Sequence, residues 1–414
     1  ACLVQSDGKV GKVAISPAVL GSEAAGPDAS TSSGHMASCW DSVNERIIAF
    51  YQDGGDNKGY IRMGSLSGTT ITWLGTQQEV FSNCEFPCIN YLGNNRIVMT
   101  QSDGTCKTRF ATVNVNSNNF TLDNTTKQWG GNMTNCEYTR QDYDSANGVI
   151  GFSAKCPNNS NYIRACFFKD DNFAGVNDSY LVKSSSCNYP TMTYDPNANR
   201  WVVIYGRSGT RSIVLNLNNS INVSNNGGEK FWALRQYEQL DSLYHAPTKR
   251  VLCVFRGTNN TSYGLGCVAF DVKAQLNDGY ERTHAGEADN SNIHAPNLPA
   301  ISDGLTSTAA YGMNKGGNKN FVYNSVTGKF MVNFHRDQGA GQGSFFYDFT
   351  FNAANNGFTA GTAQEYSGDS DTDPYSLVLA GSKHIVLYVK TSSQFQKYRV
   401  DSPAATNLTA ANFI

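Results

Sequence analysis

The chain repeats itself about every fifty residues, and a repeat of that length leaves few folds open, because each copy is a small sheet that cannot bury its own faces. Taking the residue just before an apolar strand as anchor, the copies stand at 46, 96, 148, 200, 250, 329 and 383, in steps of 50, 52, 52, 50, 79 and 54. The clearest copy is Tyr194-Asp195-Pro196-Asn197-Ala198-Asn199-Arg200-Trp201-Val202-Val203-Ile204-Tyr205, a strand end, a polar turn, a basic residue and a second apolar strand. Each copy then runs through a second turn rich in Asp, Asn and Gly, such as Asp53-Gly54-Gly55-Asp56-Asn57, into a third and a fourth strand. Sheets of this kind must stack face to face around an axis. The expected fold is all-β: a seven-bladed β-propeller of four-stranded antiparallel blades over residues 1–402.

The composition agrees. Charged residues are 16% of the 414 and aromatics 12%, with abundant Asn, Ser, Thr and Gly, the balance of strands joined by polar turns. Lys plus Arg number 32 against 34 Asp plus Glu, so no basic footprint points to nucleic acid. No apolar run approaches the roughly eighteen residues of a spanning helix, and the longest, such as 385–389, are of strand length. Membrane insertion is not expected.

The last copy lacks an outer strand after Gln396 to Val400, while the segment from Lys12 to Leu20 precedes the first copy with no blade of its own. The N-terminal strand, placed around Val13 to Ile15, is therefore expected to complete the final blade and close the ring. Ser33-Gly34-His35-Met36-Ala37-Ser38 reads as a flexible loop. With Ala1 in place of an initiator Met, and residues 403–414 reading as the start of a linker, the chain is expected to be cut at both ends.

Eleven cysteines cannot all pair internally, and Cys2 is the natural orphan. Cys253 with Cys267, and Cys156 with Cys166, flank predicted hairpins. Each pair reads either as a cross-strand disulfide or as two buried thiols. Cys84 and Cys88 have neither redox nor zinc-knuckle spacing and read as blade-core residues.

One stretch has a more specific likeness. Gly59-Tyr60-Ile61-Arg62-Met63-Gly64-Ser65-Leu66-Ser67-Gly68-Thr69-Thr70-Ile71, with its Ser-Gly-Thr-x-Ile element, resembles repeats of bacteriophage tail-fibre and virion structural proteins, including fibre and nozzle repeats of marine-phage type. The terminal Asn407-Leu408-Thr409-Ala410-Ala411-Asn412-Phe413-Ile414 resembles a segment that follows such repeats. The resemblance covers nearly the whole chain and implies a virion component, extracellular once released. Its implied partners are other virion subunits, copies of itself in a homo-oligomer, and a host surface glycan or protein receptor.

No P-loop, His-Glu-x-x-His, Gly-x-Ser-x-Gly or paired Cys-x-x-Cys pattern occurs. The chain is therefore expected to be a non-catalytic module for structure or host contact. The enzymatic alternative is a glycan-cleaving propeller, sialidase-like or another glycosidase, but the Ser-x-Asp-x-Gly-x-x-Trp box is absent. Glu85, Glu137 and Asp195 lie near blade starts and read as solvated or turn-forming acids. Asp369, Asp371 and Asp373 alternate as Ca²⁺-binding strings do, without the Gly and the final carboxylate of a complete calcium loop, so no cofactor beyond such a Ca²⁺ is expected. The long step between the fifth and sixth anchors leaves an insertion, residues 277–318, carrying His284, Asp289, His294 and Tyr311. Long excursions from rigid scaffolds concentrate binding, which makes those four the candidate contact residues.

Overall fold

The computed structural model describes residues 18–28, 33–273 and 319–403, apart from short interior stretches, together with the backbone of 2–4, 10–12 and 311–312. Every structural statement below concerns those residues. The chain is a seven-bladed β-propeller. Blade 1 is Ser33–Asp41, Arg46–Asp53, Gly59–Ser67 and Thr70–Phe81, paired in that order from axis to rim. Blade 2 (Cys88–Gly93 to Asn119–Gln128), blade 3 (Glu137–Asp144 to Asn177–Lys183) and blade 4 (Asn188–Asp195 to Val223–Ala233) repeat the order. Blade 5 shows three strands among the described residues, from Gln236–His245 to Ser262–Phe270. Blade 6 is Phe321–Asn324 with Tyr311–Gly312, then Lys329–Arg336, Gly343–Asn352 and Gly357–Ser367, and blade 7 begins with Thr372–Ala380, Lys383–Lys390 and Phe395–Ser402.

The repeat motif is a self-capping hairpin. Asp41, at the end of the inner strand, is fully buried, and its Oδ1 accepts the backbone N–H groups of Val43 and Asn44 at 3.0 and 3.1 Å. Asp144, Asp195 and Asn324 do the same two and three residues ahead of themselves. The residue before the anchor takes the left-handed conformation that ends the turn, as at Glu45 (φ 54°), Asn95 (57°), Asn199 (52°), Lys249 (54°) and Gly328 (69°), and in blade 3 the anchor Gly148 itself does so (60°). Arg46 and Arg200 then fold back to donate to the turn's carbonyls, Asn44 O and Glu45 O for the first, Asn199 O for the second. Replacing Asp144 by Ala removes the acceptor that holds both turn N–H groups and the Asn147 side chain, so a loss of about 1–2 kcal/mol is expected, read as a fall of about 1–2 °C in melting temperature.

Each interface between blades carries its own apolar core. Phe50, Ile61 and Met63 of blade 1 meet Ile97, Met99 and Ala111 of blade 2, and the series continues round to blade 7, whose Ile385, Leu387 and Val400 pack on Ile47, Ala49 and Tyr51 of blade 1. The ring is closed by the N-terminal segment, although by residues later than expected. Val19–Leu20 pairs with Ser402 and Asp401, and Ala24–Ala25 with Tyr398 and Lys397, whereas Val13 to Ile15 lie outside the described residues. Glu23 accepts the Tyr388 hydroxyl at 2.6 Å and meets Lys390 at 3.1 Å. That tyrosine-to-outer-strand bond recurs in blade 4 as Tyr205–Glu229 at 2.5 Å and in blade 1 as Tyr51–Gln77 at 2.6 Å. Glu23 thus occupies an ordinary outer-strand position, reached from the far end of the chain.

Burial works to raise the carboxyls of Glu23 and Glu229, but the tyrosine hydroxyl and the nearby Lys390, or Lys183 and Arg211, outweigh it and hold both below the ordinary value of 4.5. A carboxyl lowered on folding stabilises above its unfolded value and loses that contribution as pH falls through its folded value. Thermal stability is therefore expected to drop as pH falls below about 4.5, and the Glu23→Gln, Glu229→Gln double variant to show a shallower acid slope in melts across pH.

Three expectations need correction. Ser33 to Ser38 is no loop: it opens the inner strand of blade 1, with Met36, Ala37 and Ser38 buried and the Ser38 and Ser376 hydroxyls 2.7 Å apart across the ring's seam. Cys253 pairs with Val268 while Val254 pairs with Cys267, so the two cysteines sit at successive positions and point to opposite faces. One enters the core between blades 4 and 5 and the other that between blades 5 and 6, which rules out a bond between them. Cys156 stands opposite Tyr162 and Cys166 opposite Phe152, which separates those two by roughly 13 Å at about 3.3 Å per residue. Cys84 and Cys88 are core residues, both buried.

Candidate functional site: an aromatic arc at the axis

The inner strands contact one another around the axis, and most begin with the same irregularity. Pairing with the second strand slips between Ser33 and Met36 in blade 1, Glu137 and Arg140 in blade 3, Asn188 and Thr191 in blade 4, Glu238 and Asp241 in blade 5, and Pro374 and Ser376 in blade 7. A bulge of this kind re-aims one side chain. In four of those blades it carries a ring, His35, Tyr138, Tyr189 or Tyr375, and blade 2 supplies Phe86 just ahead of its inner strand.

The five rings form a continuous arc over blades 7, 1, 2, 3 and 4. Centroid distances are 5.7 Å for Tyr375–His35, 4.4 Å for His35–Phe86, 5.3 Å for Phe86–Tyr138 and 4.5 Å for Tyr138–Tyr189. Tyr375 is buried and the other four are partly exposed. Phe86, Tyr138 and Tyr189 hold φ of 44°, 54° and 49°, a region that bulky side chains rarely enter. Such strain persists only where surrounding structure enforces it, and it clusters at sites of function.

Surrounding bonds fix the rings. The Phe86 N–H donates to His35 Nδ1 at 3.0 Å, and the Thr139 hydroxyl to Phe86 O. Burial drives the His35 pKa down to about 4, leaving a neutral imidazole to accept that bond. At the edge of the arc burial raises the Glu85 carboxyl, with Asp103 and Glu137 pushing the same way, while Glu137 pairs with Lys155 at 3.0 Å. The rim is acidic.

A few residues further along the inner strands the axis is crossed. Lys319, just ahead of the blade 6 inner strand, reaches Asp142 of blade 3 at 3.0 Å. Its carbonyl accepts from Leu377 of blade 7, and the next residue's N–H donates to the buried Asp241 of blade 5. Burial opposes the Lys319 charge, but Asp142 and Asp241 outweigh it and keep its pKa above the ordinary value. Beneath the rings the mouth thus has a charged, internally neutralised floor.

The residues chosen from sequence do not form this site. His284, Asp289 and His294 lie outside the described residues, and of Tyr311 only the backbone is placed, opposite Arg336. Asp369 and Asp371 are likewise outside, and Asp373 pairs through its backbone with Val389. Among the described residues no group of three or more His, Cys, Asp or Glu is disposed to hold a metal. Asp195 is a turn acid, whereas Glu85 and Glu137 flank the arc. A signal for the arc does exist in sequence: Cys84-Glu85-Phe86, Cys136-Glu137-Tyr138 and Cys187-Asn188-Tyr189 recur in steps of 52 and 51, in phase with the blade anchors.

No family model matches the chain, and no curated protein matches it. Solved structures do. A putative 6-phosphogluconolactonase from Bacteroides fragilis superposes with TM-score 0.52 at 11% identity, covering 86% of this chain and 95% of that one. The Swd1 β-propeller domain of Myceliophteria thermophila gives 0.52 at 7% identity, covering 92% and 99%. The likeness is one of fold. At such identities it carries no chemistry from either protein to this one.

Proposed function

We propose that the chain is a non-catalytic recognition module of a phage particle, and that its aromatic arc binds a neutral glycan on the host surface. The observation that carries the binding is the run of five rings from five consecutive blades, three of them held at strained backbone angles. A pyranose presents a C–H-bearing face to an aromatic ring and hydroxyls at its edge, and a ledge of adjacent rings beside acceptor carboxylates matches both. Glu85 and Asp103 at the rim disfavour anionic sugars, while Glu137 is paired with Lys155, whose ammonium lies 5.4 Å from the Tyr138 ring centroid. The virion assignment rests on the repeat resemblance. Several propellers side by side on a particle would turn weak single-site binding into firm attachment, since linked sites raise avidity about 10² to 10⁴-fold.

The test is titration of the purified chain against neutral and sialylated oligosaccharides, with parallel assay for released sugar. Saturable binding of neutral glycans without turnover is expected. Release at an enzyme's pace of about 1 to 10³ per second would favour the glycosidase reading, with Glu85 as the acid whose pKa is raised.

A further inference from the structure

The core between blades 2 and 3 contains Cys106, Cys136, Cys156 and Cys166. Three of these converge. Glu137 pairs with Lys155, so Cys136 and Cys156, one step beyond at the same end of the ladder, face each other across adjacent antiparallel strands. Their Sγ atoms are 2.8 Å apart, closer than two sulfurs in simple contact, and the Cys136 thiol is also hydrogen-bonded to Cys106. All three are at most 1% exposed. Directly opposed positions in an antiparallel pair have Cα atoms about 4.5–5.5 Å apart, inside the 4.4–6.8 Å that a disulfide spans without moving the backbone.

We propose that Cys136 and Cys156 form a disulfide that staples the first two strands of blade 3, with Cys106 as the competing partner of Cys136. The oxidant is a low-molecular-weight disulfide. The Cys136 thiolate attacks one of its sulfurs and expels the first thiol, and the Cys156 thiolate then attacks Cys136 Sγ and expels the second. The two cysteine protons pass to the two expelled thiolates and two electrons to the oxidant, which leaves as two thiols. Burial and the neighbouring thiols suppress thiolate at these positions once the blade has closed, so the bond forms during folding and resists reduction afterwards.

The experiment is refolding in a glutathione redox buffer, followed by alkylation, non-reducing digestion and mass spectrometry. The expected product links the peptides containing Cys136 and Cys156, so that nine of the eleven thiols remain alkylatable. It should melt about 3–4 °C above the reduced protein. Cys106→Ser should leave the link intact, whereas Cys156→Ser should shift it to Cys106–Cys136. Eleven alkylatable thiols in correctly refolded wild type, or a dominant link that omits Cys136, overturns the proposal. Because the decisive reading is made on wild type, a variant that fails to fold leaves it standing as a test.

Discussion

Tyr138→Gly is expected to weaken glycan binding by roughly 10- to 100-fold while leaving the melting temperature almost unchanged. Tyr138 is an interior ring of the arc, in contact with Phe86 at 5.3 Å and Tyr189 at 4.5 Å, so its loss cuts Tyr189 off from the other three rings. Truncating a central aromatic of a binding surface costs about 2 kcal/mol or more, close to thirtyfold in affinity. Stability responds differently. The lost ring pairs, about 0.5–1.5 kcal/mol each, are offset by release of the strain of φ 54°, about 1–3 kcal/mol in an L residue and absent in glycine. Titration and thermal melts on the same sample check both halves. Tyr205→Phe is the matched control, since that hydroxyl bonds Glu229 in blade 4, outside the arc. Unchanged affinity in Tyr138→Gly with a native melt would rule out the arc as the binding surface.

Removing residues 1–28 is expected to open the ring. The lost bonds include Gly21 N–H to Val400 O, Gly26 N–H to Gln396 O, Asp28 N–H to the Gln396 side chain, Tyr388 to Glu23, and those by which Arg62 and Trp73 of blade 1 hold Pro27 O and Ala25 O. At about 1 kcal/mol each these six amount to roughly 6 kcal/mol, or about 7 °C in melting temperature for a chain of this length. The strand Phe395–Ser402 would also be left with an unpaired edge, and such edges recruit other chains. Light scattering should therefore rise on concentration, and a synthetic peptide of residues 18–28 added in trans should reverse part of both effects. Gly26→Val tests the closure in the full chain, because its Cβ would stand 2.6 Å from Gln396 Cβ. A truncated protein with the parental melt would show that the seam contributes little.

What the sequence disclosed is what local chemistry encodes. An Asp, a polar turn and an Arg make a hairpin from neighbouring atoms alone, so the anchors and the seven blades could be counted before any coordinates. The arc was hard to read because Tyr138 and Tyr189 occupy bulges and Phe86 lies just ahead of its strand, all at left-handed angles that glycine would ordinarily mark. Ser33 to Ser38 looked like loop because the strands nearest the axis pack hydroxyl on hydroxyl, as Ser38 does on Ser376, and so lack an apolar alternation. Of the two cysteine pairings, Cys156–Cys166 failed on distance and Cys253–Cys267 on parity. In a hairpin a shift of one residue moves a side chain to the other face, and Cys253 and Cys267 differ from direct opposition by that one step.

The contact between Lys319 and Asp142 has a mechanical side. In a ring where each blade leans only on its two neighbours, the easiest deformation is ovalisation, in which small slips at every interface accumulate into a squeezed outline. Blades 3 and 6 lie on opposite sides, so an ion pair of 3.0 Å between them acts as a strut across a wheel. Its foot is clamped by blades 5 and 7 through Asn320 and Leu377, so a load on one side of the rim is shared with the other through the hub. In the proposed role at a host surface, such bracing would keep the aromatic ledge in shape under tension.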